Sequence, residues 1–184
     1  MKNFTLCLLL AVATLTLISW NEENDLKVIS KVYAKYALDK TSSVIADTNL
    51  IGIWKMDADT DPHNYFVLER SDYYNYVFTY MNKEGSNRTY ENIGAFFSDV
   101  NGTKFLNLSY YDWNTHEGGY FFLKVTDIDK RGFHLTAELV ADTTLHSINS
   151  AAEVRERIAK NIDNPNYFKK KVHFRKILPL MYCK

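Results

Sequence analysis

Glycine, proline and cysteine are all scarce in this chain, at seven, three and two of its 184 residues. So little glycine and proline excludes collagen-like and low-complexity architectures. Two cysteines, Cys7 inside an apolar run and Cys183 near the end, exclude a disulfide framework. Neither sign of charge dominates, since 22 Lys and Arg balance 22 Asp and Glu. There is therefore no basic field to draw in nucleic acid and no acidic excess to keep the chain disordered. Catalytic signatures are also missing. No glycine-rich loop can cradle a phosphate, the five histidines show no H-x-x-x-H or other paired spacing, and neither Ser109 nor Cys183 sits in a nucleophile motif. Asp57-x-Asp59-x-Asp61 opens like a calcium loop, but Pro62 stands where glycine is required and Leu68 where a bidentate Glu belongs. It reads as a solvated hairpin loop. The expectation is a non-catalytic protein without cofactor or metal.

The chain is rich instead in apolar and aromatic bulk, 46% and 15% of residues, with thirteen Tyr and eleven Phe. That composition favours strands, whose half-buried faces accept large side chains. Lys2 followed by the apolar run Phe4–Trp20 reads as an export signal. Its seventeen residues are long for a cleaved core and marginal for a membrane span, so cleavage near Ser19 or Trp20 and an uncleaved anchor both stand. Cys7 follows Phe4-Thr5-Leu6 and lacks the small residue of a lipobox. The expected location is outside the cytoplasm, whether periplasmic, secreted or membrane-anchored. Residues 1–20 form the signal or anchor, 21–48 a stalk, 49–178 one barrel domain and 179–184 a tail. Within the stalk, Leu26, Ile29, Tyr33, Tyr36 and Ala37 recur at helical spacing, which predicts a short amphipathic helix or a mobile linker over 24–40.

From Leu50 the period switches to alternation. Strand-like runs occupy Leu50–Met56, Tyr65–Arg70, Tyr73–Asn82, Tyr90–Asp99, Lys104–Tyr111, Gly119–Thr126 and Phe133–Val140. Short polar turns separate them, with Asn101-Gly102 the clearest hairpin signal. Ser150-Ala151-Ala152-Glu153 has the capping-box pattern and starts a helix to about Ile162, which Asn164-Pro165-Asn166 stops. Lys171–Ile177 makes the eighth strand. Eight strands can close a sheet on itself, so the predicted fold is all-β: an eight-stranded antiparallel up-and-down barrel with a helix before the last strand.

At Gly52-x-Trp54 on the first strand of such a meander, the chain resembles the lipocalins and the wider calycin superfamily. Thr126-Asp127-Ile128 is similar to that family's Thr-Asp-Tyr between the sixth and seventh strands. The resemblance implies that Trp54 closes the narrow end and that Arg175, on the last strand, lies across its face as a cation–π partner. The helix departs from the lipocalin pattern by preceding the eighth strand. From about Leu50 to Ile177 the chain is similar to uncharacterised exported bacterial lipocalin-like proteins, which implies a fold without an assigned activity.

Both faces of several strands are apolar. Tyr74, Tyr76, Phe78 and Tyr80 share one face of the third strand, and Phe121, Leu123 and Val125 oppose Tyr120, Phe122 and Lys124 on the sixth. Part of the outer face must be covered, either by the late helix through Val154 and Ile158 or by a second subunit. The interior of an eight-stranded barrel holds either its own side chains or one small ligand. If it holds a hydrophobic or amphipathic ligand, Tyr74, Tyr76, Phe78 and Tyr80, with Phe96 on the fourth strand, are the candidate lining. If it is filled, the chain is a structural module that meets an envelope protein or a second copy.

Overall fold

Alternating apolar residues between tight polar turns fold here as eight antiparallel strands, and the first and last pair with one another to close the barrel. This computed structural model describes residues 33–39, 44, 46–60, 63–84, 87–112, 117–129, 131–169 and 171–179, without the side chains of residues 80, 82–84, 87–92, 110–112, 117 and 179. The expected export signal, residues 1–20, lies outside the described residues. The strands are β1 (Gly52–Met56), β2 (Tyr65–Arg70), β3 (Asn75–Glu84), β4 (Asn87–Val100), β5 (Thr103–Asp112), β6 (Glu117–Ile128), β7 (His134–Leu139) and β8 (Val172–Pro179). The single α-helix among the described residues, α1 (Ala151–Lys160), precedes β8. Each strand pairs with its sequence neighbours, so closure removes the long open edges of a meander.

Side-chain chemistry sets the turns. Asn101 and Gly102 both have positive φ, 53° and 82°, as a tight hairpin requires, and Asp99 Oδ1 accepts from the Gly102 N–H at 2.8 Å. Asp72 Oδ1 accepts from the N–H groups of Tyr74 and Asn75, each at 2.8 Å, and the Asn75 amide also donates to this carboxylate. Those donors, the Asn75 side chain first, hold Asp72 below the usual carboxylate range. They also delay the third strand to Asn75, two residues later than the apolar pattern predicts. Thr126 and Asp127 lie within β6 at a bulge, and Asp129 makes the turn instead, accepting from Arg131 and Phe133 N–H at 2.8 and 2.9 Å. At α1, Ser150 Oγ accepts from the Glu153 N–H at 3.2 Å.

Burial divides into two layers. The inner cluster comprises Trp54, Met56, Phe66, Leu68, Tyr76, Phe78, Ile93, Ala95, Phe97, Leu106, Leu108, Phe121, Leu123, Val125, Ala137, Leu139 and Phe174, with Ala46, Leu50 and Ile51 at one end. The outer cluster lies on the other face of the sheet. Val100, Phe105 and Phe122 meet Val154 and Ile158 of α1, together with Leu145, Tyr167 and Phe168 of the loops around the helix. Full burial of such side chains contributes roughly 1.5–3 kcal/mol each. The covering element is thus α1 with its flanking loops.

Residues 33–39 are the described part of the segment read as a helix or linker over 24–40; they are not helical, and Ala34 and Leu38 complete the outer layer as a strap. Ala34 exchanges both backbone hydrogen bonds with Tyr120, at 3.0 and 2.8 Å. The bridge forms where β6 runs past the end of β7, whose pairing stops at Leu123↔Leu139. Leu38 packs among the outer cluster and its N–H donates to Asn107 Oδ1 at 3.1 Å. Asp39 pairs with Arg155 at 2.8 Å. Unsatisfied sheet donors and a tertiary groove outweigh a weak local helix preference.

Candidate functional site

Strand register builds one continuous apolar wall inside the barrel. Trp54 stands opposite Phe66, Leu68 opposite Phe78, Tyr76 opposite Ala95, Ala95 opposite Leu108, Leu106 opposite Leu123, and Val125 opposite Ala137. Met56 opposite Phe174 completes the ring across the β1–β8 seam. Aromatic rings meet along the wall: Phe66 lies 4.9 Å from Phe78 and 6.0 Å from Phe174, and Tyr76 lies edge-on to Phe97 at 5.8 Å. No acid–base pair stands in this described wall, so what it offers a guest is apolar contact.

One end of the barrel is closed by a plug. Asp47 caps a turn of 3-10 helix, Thr48–Leu50, by accepting from the Asn49 N–H at 2.8 Å. Three carbonyls of the plug then receive side chains from three strands. Leu50 O accepts from the Trp54 indole at 2.8 Å, Asp47 O accepts from the Tyr76 hydroxyl at 3.2 Å, and Asn49 O accepts from the Lys176 ammonium. Gly52 is required where this end seals, because a Cβ there would lie 2.7 Å from Leu178 O. Gly132, at φ 68°, leaves room for Asn49 in the same way. The plug was not legible in the sequence, because its carbonyls' partners come from strands far away in the chain.

The cation over the Trp54 ring is Lys176, 5.0 Å from its centroid, which corrects the expectation for Arg175. Register is the reason. Lys176 stands opposite Trp54, whereas Arg175 stands opposite Lys55 and points out, exposed, 3.4 Å from Asp57. Burial lowers the Lys176 pKa, against the pull of Asp47 and Asp129. Trp54 itself is 4% exposed.

The candidate lining residues separate. Phe78 and Tyr76 are in the inner wall, but the Tyr76 hydroxyl is taken by the plug, and burial pushes its pKa well above the ordinary phenol range. Tyr74 falls outside β3, exposed in the Asp72 turn. Phe96 is buried on the outer face, 6.3 Å from the Tyr120 ring, because its neighbours Ala95 and Phe97 are the inward ones. Tyr80 stands opposite Phe66 in the register, and its side chain lies outside the description.

Polar groups are buried in the outer layer instead. Asn107 donates to Phe96 O at 3.1 Å and Ser98 Oγ at 2.9 Å while accepting from the strap. Asp142 binds Arg157 at 2.8 Å and accepts from the Thr144 hydroxyl and N–H at 2.6 and 2.9 Å. Burial pushes the Asp142 carboxyl up, but these donors outweigh it and hold it below the usual range. Burial and the neighbouring Asp142 charge raise the Tyr167 phenol. The Asn107 set pins the strap to the barrel, and the Asp142 set ties α1 to the loop after β7. Among the described residues no group of three or more His, Cys, Asp and Glu could hold a metal ion, and no helix is long and apolar enough to cross a membrane. No protein-family model matches the chain, and no curated protein matches it either.

Proposed function

We propose that this chain is a lipocalin-like, non-catalytic binder of a small apolar molecule held inside the barrel. The observation that carries the reading is the inner wall: every strand contributes apolar side chains to it, and the plug closes one end, so a guest would enter from the other. Tyr76, the one phenol among the fully buried described residues of the wall, is bound to the plug, which favours guests without a hydrogen-bonding requirement over amphipathic ones. Lys2 and the apolar run Phe4–Trp20 support export, with cleavage or anchoring decided by fractionation of cells that make the full chain. An intact cytoplasmic product would refute export.

Binding is tested with diphenylhexatriene, long-chain alcohols and retinol, read by probe fluorescence and by tryptophan emission. Ala95 and Ala137 both face inward, so each can be enlarged to Phe as a filling variant. On the binder reading, Ala95→Phe and Ala137→Phe abolish saturable binding and leave the melting temperature unchanged. The second reading, a side-chain-filled structural module, is favoured by the ring contacts of Phe66 with both Phe78 and Phe174. It requires no saturable binding in the parent and a loss of roughly 1–3 kcal/mol in the filling variants.

A further inference from the structure

Large apolar side chains are exposed at six described positions, and five of them lie at the plugged end: Tyr73, Tyr74, Phe133, Ile177 and Leu178, between 39 and 53% exposed. The tyrosines occupy the β2–β3 turn, their rings edge-on at 4.9 Å, with the Arg70 guanidinium 5.2 Å above Tyr73. Phe133 ends the β6–β7 turn, and its carbonyl accepts from the Lys176 N–H at 2.8 Å, which holds that turn against the end of β8 where Ile177 and Leu178 sit. β8 pairs with β1 and β1 with β2, so the two groups are separated by only two strand spacings, about 10 Å.

A whole aromatic side chain presents 150–250 Å², so at these exposures the five residues offer roughly 400 Å² of apolar surface, the size of the largest and often functional patch on a monomer. Two such patches face to face, with their polar rims, reach about the 1,200 Å² at which specific interfaces begin. Charge at this end is mixed: Asp47, Glu69, Asp72 and Asp127 are exposed, as are Lys104 and Arg131. Mixed charge does not favour an anionic membrane, but a two-fold axis can set an acid of one copy against a base of the other.

We propose that the plugged end is a self-association surface, on which two copies of this chain meet end to end through Tyr73, Tyr74, Phe133, Ile177 and Leu178. The contact is isologous and involves only the plugged end of each barrel. Aromatic side chains with a stacked Arg are the residues that dominate such contacts.

The test is sedimentation velocity of the full chain in reducing buffer over a wide concentration range, with Ile177→Asp, Tyr73→Ser and Phe133→Ser as separate variants. The mass should rise from one chain to two with concentration. Each variant should weaken association by about tenfold or more, with melting temperature unchanged. Three variants at separate positions keep the test decisive if one fails to fold. A single-chain mass at all concentrations overturns the proposal. So does association that all three variants leave intact, which would assign it to another segment such as the N-terminal apolar run. Loss of adsorption to phosphatidylcholine vesicles in the variants, without any dimer in the parent, would assign the patch to a lipid surface and overturn it as well.

Discussion

The inner and outer layers of this barrel are both buried, yet they are built differently. The inner wall is apolar apart from the Tyr76 hydroxyl and Lys176 at the plug, and register sets it: once β1 and β8 pair, alternation puts Trp54, Phe66, Phe78 and Phe174 on the same side. The outer layer gathers an irregular strap, a helix and loops that no ladder aligns, and it is studded with buried polar pins at Ser98, Asn107 and Asp142. A segment without a ladder can slide over an apolar surface, and a hydrogen bond with one partner stops it. Apolar bulk holds each layer together; directional bonds place the strap, helix and loops of the outer layer and, in the inner layer, the plug alone.

The comparison breaks most clearly at Trp54. Trp54→Ala should cost about 3–5 kcal/mol, because a large aromatic and its bond to Leu50 O are lost together, and denaturant unfolding should remain a single transition. In the outer layer, Ile158→Ala should cost about 2–4 kcal/mol. Its signature is local: hydrogen exchange should accelerate at the Ala34 and Tyr120 amides while Phe66 and Leu68 keep their protection. Equal acceleration in both layers would show that they unfold as one. Asn107→Ala should cost about 1–3 kcal/mol by leaving the Leu38 N–H and Ser98 unpaired, and exchange at Leu38 should rise most.

Asp142 gives the outer layer a pH dependence on the acid side. Its folded pKa is depressed below the unfolded value near 3.9, so its contribution is present above that pH and is lost as pH falls through the folded value. Asp142→Asn should therefore lower the melting temperature at neutral pH and flatten its fall under acid, measured by thermal melts from neutral to strongly acidic buffer. The smallest contrast lies on β8. Lys176→Met should cost about 0.5–1 kcal/mol through Trp54 and Asn49, whereas Arg175→Met, which removes an exposed pair, should cost less than about 0.5. The reverse order would return the cation–π role to Arg175.

Much of the architecture was legible because alternation and turn chemistry are local. Asn101-Gly102 announced its hairpin, Ser150 with Glu153 announced α1, and the strand runs fell within a few residues of the observed ends. Lining residues were less legible. Tyr74 looked like a continuation of the Tyr76 and Phe78 row, but Asp72 holds it in a turn through bonds its carboxylate makes two and three residues ahead. Phe96 is as apolar as its inward neighbours, and nothing in a run such as Ala95-Phe96-Phe97 says which of them turns in.

The sequence by itself determined the period of each segment, the turns between them and hence the eight-stranded closed sheet, because these depend on residues a few positions apart. Tertiary structure decided which face became the wall, which cation stacks on Trp54 and what the N-terminal strap does. Those outcomes depend on pairing across long separations. A one-residue change of register between β1 and β8 exchanges Lys176 for Arg175, and the open stretch of β6 beyond β7 draws Ala34 into a bridge 86 residues away that no local spacing encodes.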